Sequence, residues 1–152
     1  MSRHDTAPGA SAAIGAALYR LATRAARRLP RDMSLTSAAT LATLDRTGPR
    51  RITDLAAVEG VTQPAMTTLV RVLEESGLVE RRGDASDKRV TLVCLTQAGA
   101  SYVHTRRQAG VHALEQLIDE LTGDEIEALV AALPALTHLA ELESQDREGP
   151  KQ

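Results

Sequence analysis

Residues 77–96 constrain the fold more than any other segment, because they predict two β-strands around a charged tip, directly after an amphipathic helix. The strand candidates, residues 78–82 and 90–95, are rich in residues that favour β-structure. The residues that predict the turn between them are Gly83, Asp84, Ser86 and Asp87. A helix that passes straight into a hairpin is compatible with few small folds.

The helix before the hairpin is predicted over residues 61–76. Its apolar residues recur at helical spacing, and they are Met66, Leu69, Val70 and Leu73. Thr62 is a natural N-cap, Pro64 suits the first turn, and Gly77 follows the end. A shorter helix over 53–59 precedes it across the turn at Gly60, which predicts a helix-turn-helix whose second helix can enter a DNA major groove. The hairpin would be the wing.

The remaining sequence predicts helices on both sides of this unit. Residues 12–29 form one, ended by Pro30, and residues 35–44 form another. Arg51 and Ile52 are expected to add a very short third strand. Long helices follow over 97–121 and from Thr122, where a capping box with Glu125 begins a helix kinked at Pro134. The predicted fold is mainly α with a small antiparallel β-wing.

The terminal helices, residues 12–32 and 97–143, have broad apolar faces that a monomer would leave exposed, so we expect them to form a dimerisation region. Residues 35–96 form the winged-helix lobe, and residues 1–11 and 144–152 are expected to be flexible tails. At 152 residues with 43% hydrophobic content, the chain is predicted to be a single domain.

Charge is distributed unevenly along the chain, whose formal net charge is -2. Residues 1–34 carry six Arg and two Asp (+4), residues 35–99 carry eight basic and eight acidic residues (0), and residues 100–152 carry four basic and ten acidic residues (-6). The acidic third need not face DNA, so the low net charge does not exclude DNA binding. Tyr19 and Tyr102 are the only aromatic residues, which argues against modules that stack single-stranded bases and favours duplex DNA.

One cysteine excludes an intramolecular disulfide framework. The N-terminus shows no secretory pattern, and no run of about 18 apolar residues predicts a membrane span. We therefore expect a cytoplasmic protein without a membrane partner. No phosphate-binding loop, nucleophile elbow or carboxylate pair is evident, so an enzyme is not expected, and no cofactor is predicted.

Over roughly residues 12–143 the chain resembles MarR-type (multiple antibiotic resistance) transcriptional regulators. The segments that carry the resemblance are LT at 35–36, ITDLA at 52–56, VTQPAMT at 61–67, LEESGLVER at 73–81, DASDKR at 84–89 and LTQAG at 95–99. The resemblance implies a homodimer that binds a pseudo-palindromic operator, with each recognition helix in a major groove and each wing tip over a minor groove. It also implies a regulator, most often a repressor, that small ligands shift away from the DNA-competent spacing.

The residues predicted to contact DNA fall into two groups. Those of the recognition helix are Thr62, Gln63, Pro64, Ala65, Thr67, Thr68 and Arg71, where side chains can reach base edges and free N–H groups can meet phosphates. Those of the wing are Arg81, Arg82, Asp87, Lys88 and Arg89. The family pattern implies that Lys88 enters the minor groove while Asp87 and Arg89 pair to brace the tip. The alternative is a solvated helix face beside an ordinary charged hairpin.

The resemblance places a ligand pocket between the dimerisation helices and the DNA-binding lobe. The candidate lining residues are Tyr19, Arg20, Arg24, His104 and Arg107. An arginine there would suit an aromatic carboxylate through a bidentate pair, and the alternative is an arginine-bearing surface that serves solubility or dimer salt bridges.

Two other function classes stay open at this stage. A winged helix can act as a protein-interaction module without DNA affinity. A metal-sensing regulator is the other alternative, although His104 and His112 lie eight residues apart and need ligands from elsewhere, so no metal site is predicted. Cys94 is expected to be a small buried hydrophobic residue rather than a redox sensor.

Overall fold

The structure is a computed structural model that describes residues 9–30, 32–84, 87 and 89–148, with side chains to residue 142. The elements are α1 (Ala10–Ala26), α2 (Leu35–Thr47), α3 (Ile52–Val58), α4 (Gln63–Glu75), β1 (Val79–Gly83), β2 (Thr91–Leu95), α5 (Gln97–Ile118) and α6 (Gly123–Glu148). The two strands are antiparallel, with Val79 opposite Leu95 and Gly83 opposite Thr91. The predicted fold, mainly helical with a small wing, is confirmed.

Aliphatic side chains of the central lobe form the core, and no aromatic ring is fully buried in it. The buried core residues are Leu41, Leu44, Leu55, Ala56, Met66, Val70, Leu73, Val79, Val93 and Val103. They come from α2, α3, α4, both strands and the first turns of α5. The terminal helices contribute less, since α1 has no buried residue. None of the described helices is long and apolar enough to cross a membrane.

Several predicted boundaries differ from the structure for local reasons. Helix α1 begins at Ala10 and ends at Ala26 rather than near Pro30, because the N–H groups of Arg27 and Arg28 bond three residues back and tighten the final turn. Helix α2 extends to Thr47 and is ended by Gly48, whose φ is 76°.

The other differences concern strand and helix ends. The third strand expected at Arg51 and Ile52 is a single bridge one residue earlier, where Arg50 exchanges both backbone hydrogen bonds with Val93 at 3.1 and 2.8 Å. Ile52 instead begins α3. Helix α5 ends at Ile118, and α6 runs unbroken through Pro134 to Glu148, beyond the boundary expected at 143.

One joint connects the end of α4, the base of the wing and the start of α5. Gly77, with φ 71°, reverses the chain after α4, and the N–H of Leu78 donates to Leu73 at 3.0 Å. The Thr96 hydroxyl donates to the Gly77 carbonyl at 2.7 Å and accepts from the N–H of Gly99 at 3.0 Å. The N–H of Thr96 donates to the Leu78 carbonyl at 3.1 Å. We name residues 77–78 and 96–99 the α4–α5 joint.

Gly99→Ala is expected to destabilise the protein by about 2–4 kcal/mol, because a methyl group would lie 2.1 Å from the Leu78 carbonyl oxygen and 2.8 Å from Leu95 Cδ1. The carbonyl cannot retreat without weakening its bond from Thr96. Urea unfolding at a fixed protein concentration measures the change. The matched control is Gly15→Ala in α1, where the new Cβ meets nothing within 4 Å and a gain of about 0.5–1 kcal/mol is expected. Equal effects of the two substitutions would contradict close packing at the joint.

Candidate nucleic-acid interface and ligand cavity

Helix α4 buries one side and exposes the other. Met66, Val70 and Leu73 are buried in the lobe, which fixes the rotation of the helix about its axis. At its start, Thr62 caps the helix, as predicted, by accepting from the N–H of Ala65 at 3.4 Å. The residues predicted to meet DNA are all exposed on this helix: Thr62, Gln63, Pro64, Ala65, Thr67, Thr68 and Arg71.

The turn between α3 and α4 sets how the two helices cross. Gly60 adopts a φ of 64°, and the N–H of Val61 donates to the Ala56 carbonyl at 3.0 Å. Glu59, at the end of α3, accepts from the buried Thr43 hydroxyl of α2 at 2.8 Å. Sequence reasoning missed this bond, because nothing in the pattern links residues sixteen apart on different helices. It ties the helix-turn-helix to α2.

Hydroxyl geometry decides what the exposed face of α4 can offer a base. Thr67 donates to the Gln63 carbonyl at 2.9 Å, and Thr68 donates to the Pro64 carbonyl at 3.1 Å. Their oxygens keep lone pairs directed outward, so both threonines present acceptors and methyl groups. Arg71 forms an ion pair with Glu75, one turn further along the same exposed face. Such an exposed pair is worth about 0.3–0.5 kcal/mol and exchanges readily for a phosphate or a base.

The start of α4 offers few backbone donors for phosphate. Pro64 has no N–H, and the N–H of Ala65 is occupied by Thr62. The expectation that free N–H groups meet phosphates here is therefore limited to the N–H groups of Thr62 and Gln63. Side chains have to provide the remaining polar contacts of this surface.

Successive wing arginines point to opposite faces of the hairpin. Arg81 turns toward α4 and lies 3.5 Å from Glu74, whereas Arg82 pairs with Glu80 beside it. Both side chains remain at least one-third exposed. The wing therefore carries two arginines near α4. Each has a neighbouring carboxylate that partly neutralises its positive charge.

The described part of the wing tip is held by its own backbone. The N–H of Asp84 donates to the Val90 carbonyl, and the N–H of Val90 donates to the Asp87 carbonyl, both at 2.9 Å. The Asp87 carboxylate accepts from the N–H of Arg89 at 3.0 Å, so Asp87 contacts Arg89 through the main chain. Lys88, predicted to enter the minor groove, lies outside the described residues.

A cavity of about 490 Å³ lies between α1, α2 and α5. Its lining is almost entirely apolar, and it consists of Ala22, Ala25, Ala26, Leu29, Ala38, Ala42, Val103, Gly110, Val111 and Leu114, with Arg106 and Arg107. Of the five predicted pocket residues, only Arg107 lines this cavity. Tyr19, Arg20 and Arg24 line a separate hollow of about 160 Å³ on α1, and His104 is exposed on α5.

Both cavity arginines already hold carboxylates. Arg107 lies 3.0 Å from Asp45, at the end of α2, and so joins α5 to the lobe. Arg106 donates to the Pro30 carbonyl at 2.7 Å and lies 3.2 Å from Asp32, in the α1–α2 connection. Arg106 also lines a neighbouring cavity of about 590 Å³, so it stands between the two. Sequence reasoning did not identify Arg106, Asp32 or Asp45.

Tyr102 completes the contacts around Asp32. Its hydroxyl donates to the Asp32 carboxylate at 2.9 Å. Burial raises the pKa of Tyr102 above 10, the hydrogen bond to Asp32 raises it further, and the positive charge of Arg106 lowers it. The neutral phenol is thereby favoured in the folded state.

The described residues contain no group of three or more His, Cys, Asp or Glu side chains that could hold a metal ion. His112 instead lies 3.6 Å from Glu115. Cys94 is buried in β2, as expected for a small hydrophobic residue.

The fold and the exposed face of α4 beside a β-hairpin define a winged helix-turn-helix protein. The family model "MarR family" matches residues 33–91. An uncharacterised HTH-type transcriptional regulator from Mycobacterium leprae is 31% identical over 127 residues, covering 83% of this chain and 89% of that protein. The chain belongs to the MarR family and is a transcriptional regulator.

Solved structures share the fold. A transcriptional regulator from Thermotoga maritima superposes with a TM-score of 0.74 at 21% identity, over 91% of this chain and 98% of that one. Staphylococcus aureus MepR matches at 24% identity in two states. A mutant bound to an oligodeoxyribonucleotide gives a TM-score of 0.64 over 87% and 96% of the two chains. MepR bound to ethidium bromide gives 0.58 over 88% and 96%.

Tyr102 is expected to titrate above the ordinary tyrosine value of about 10. Tyr19→Phe leaves Tyr102 as the only tyrosine, so ultraviolet absorbance against pH follows it alone. Adding Asp32→Asn should lower the midpoint, since it removes a negative charge and a strong acceptor, while Glu115→Gln should leave it unchanged. Because the folded pKa is raised, the stabilising effect of this group is complete below pH 10 and lost as the pH rises through the folded value. A midpoint at or below 10 would contradict the Asp32 contact.

Proposed function

We propose that this regulator binds a pseudo-palindromic duplex operator as a homodimer, with one α4 in each of two major grooves. The observation that carries the proposal is the arrangement of α4, whose apolar side is buried in the lobe while the polar side of its first two turns is exposed. A helix fixed in this way presents the same side chains to every binding site. The oligonucleotide complex of MepR, which has the same fold, supports the proposal.

The exposed side chains of α4 divide by chemistry into base and phosphate contacts. Gln63 can pair with the N6 and N7 atoms of adenine, and Ala65 can contact a thymine methyl group. Thr67 and Thr68 accept from base amino groups, since their own protons are used within the helix. Arg71 reaches guanine or phosphate by leaving Glu75.

The wing supplies positive charge over the adjacent minor groove from Arg82, Lys88 and Arg89. Arg81 instead lies beside Glu74 of α4. Lys88 is the residue we propose for the groove itself. Asp87 braces the tip by accepting from the backbone of Arg89.

Homodimerisation is supported by the exposed apolar residues of the terminal helices. Of the fourteen large hydrophobic side chains that are exposed in the described part of the chain, twelve lie in α1, α5 and α6. A second copy would cover them. The two recognition helices of such a dimer would contact half-sites about 10 bp apart. A dimer bound to this operator in the cytoplasm would repress transcription by blocking access to the promoter.

We further propose that a small aromatic carboxylate occupies the cavity between α1, α2 and α5 and relieves repression. The lining would hold an aromatic ring, and Arg107 would hold the carboxylate. Because Arg107 pairs with Asp45, binding would release α5 from the end of α2 and change the spacing of the two lobes. The ethidium complex of MepR supports a ligand site in this fold.

Selection from random duplexes with the full chain is expected to enrich a two-fold symmetric sequence with half-sites about 10 bp apart. For this sequence, affinity should fall steeply as salt rises. Lys88→Ala with Arg89→Ala should weaken binding and reduce the salt slope by roughly 1 for each phosphate that the variant no longer neutralises. Gln63→Ala should instead relax the preference at one position of each half-site, at a cost of about 1–3 kcal/mol.

Gln116→Ala, on the exposed side of α5, is the control and should bind as the wild type does. Absence of duplex binding at low salt would overturn the DNA-binding proposal and favour a protein-interaction module. Unchanged binding by the wing variant would remove the wing from the interface.

Effector binding is tested with benzoate by ligand-observed NMR. Asp45→Asn should tighten benzoate binding about tenfold, because Arg107 then has no internal carboxylate to give up. Arg107→Gln should abolish the preference for benzoate over the neutral analogue benzamide. Equal binding of benzoate and benzamide by the wild type would show that Arg107 does not recognise the anion, and no binding of either would exclude aromatic carboxylates as effectors.

A further inference from the structure

Helix α1 carries a cationic hollow that the proposed effector cavity does not use. Tyr19, Arg20, Arg24 and Arg27 line this hollow together with Thr23, and its volume is about 160 Å³. The spacing of four and then three residues places the guanidinium groups on one side of the helix. All five side chains are exposed. This side of α1 is therefore a positively charged surface separate from the cavity between α1, α2 and α5.

The positive charges of the hollow are not balanced within the protomer. Among the described residues, no carboxylate forms an ion pair with Arg20, Arg24 or Arg27. Arg20 and Arg24 also lie four residues apart, a spacing at which like charges repel each other. The negative end of the α1 dipole, roughly half an elementary charge, offsets only part of the three positive charges. An anion with several negative charges would relieve the remaining repulsion.

A larger apolar cavity adjoins the hollow. Its volume is about 590 Å³, and it is lined by Thr23, Ala26, Arg27, Leu29, Pro30, Met33, Leu35 and Arg106. Thr23 and Arg27 line both spaces, so the cationic hollow continues into the apolar cavity. Leu35, at the start of α2, is 70% exposed although it lines the cavity. Its apolar surface is therefore available to a ligand.

Of the two arginines in this cavity, only Arg27 is available to an anion. Arg106 lies 3.2 Å from Asp32, and its side chain is 12% exposed. Arg27 is exposed and has no carboxylate partner among the described residues. The Thr23 hydroxyl donates to the Tyr19 carbonyl at 2.8 Å, so its proton is already used. A ligand here would meet guanidinium groups at its anionic end and aliphatic side chains along its chain.

We infer that a single-chain amphiphile with a diphosphate head binds at this site. Its head would contact Arg20, Arg24 and Arg27, and its chain would lie in the adjoining apolar cavity, whose volume is in the range of ligand pockets. A carboxylate has one negative charge and two oxygens, which one guanidinium satisfies. A diphosphate has several charges and enough oxygens to pair with three guanidinium groups. The site is distinct from the proposed effector cavity, and the inference depends neither on that cavity nor on DNA binding.

Geranyl diphosphate is the probe, titrated into the full chain by calorimetry in about 0.15 M salt, which screens distant charges. Both parts of the ligand should be needed. Geraniol, which has the chain alone, and inorganic diphosphate, which has the head alone, should each bind at least tenfold more weakly than geranyl diphosphate. Arg24→Gln should weaken binding of geranyl diphosphate about tenfold, because one charge-assisted pair is lost. Leu35→Gln should weaken it severalfold without changing the binding of inorganic diphosphate.

The matched control is Arg28→Gln, which removes the same charge one turn after Arg24. Arg28 is exposed and lines neither space, so this variant should bind geranyl diphosphate as the wild type does. An Arg24→Gln variant that binds no more weakly than Arg28→Gln would overturn the assigned contact of the head.

The ligand series gives the other contrary outcomes. No binding of geranyl diphosphate to the wild type would overturn the site, and this result is expected if a second copy covers this side of α1. Equal binding of inorganic diphosphate would indicate a charged surface without a chain site, and equal binding of geraniol would exclude the arginines. Displacement of geranyl diphosphate by excess benzoate would place both ligands in one cavity and refute a separate site.

Discussion

The Leu78 carbonyl at the α4–α5 joint accepts a hydrogen bond from Thr96 and leaves room only for a glycine at position 99. This contact fixes three elements together, because α4 ends, the wing begins and α5 begins within a few residues of it. The buried side of α4 sets its rotation, and the joint sets its position relative to α5. Movement of α5 would therefore reach α4 directly, through hydrogen bonds that are shorter than 3.2 Å.

The cavity lies where such a movement can begin. Arg106 and Arg107 are consecutive residues of α5, and their carboxylate partners belong to different parts of the chain, Asp32 before α2 and Asp45 near its end. Ion pairs thus join α5 to both ends of residues 32–45, which contain most of α2. If the proposed effector competed for Arg107, it would change one attachment while the contact of Arg106 with Asp32 persisted.

The local pattern was sufficient for most elements and for the exposed polar side of α4. Thr62, Pro64 and Gly77 predicted the ends of α4, because capping and φ preferences act over a few residues. Element ends were less predictable wherever a tertiary bond competed. Arg50, rather than Arg51, pairs with Val93. The pocket residues expected on α1 line a different hollow from the cavity that Arg107 lines.

The sequence by itself determined the order of the elements, the capped helix α4 with its apolar and polar sides, and the separation of positive and negative charge between the two ends of the chain. These depend on periodicity and on neighbours within a turn or two. Only the tertiary structure decided which carboxylates hold Arg106 and Arg107, that Thr43 bonds to Glu59, and that Thr96 bonds to Gly77. Such contacts join residues 16–74 positions apart, and their partners are chosen by packing of the aliphatic core, which no local pattern encodes.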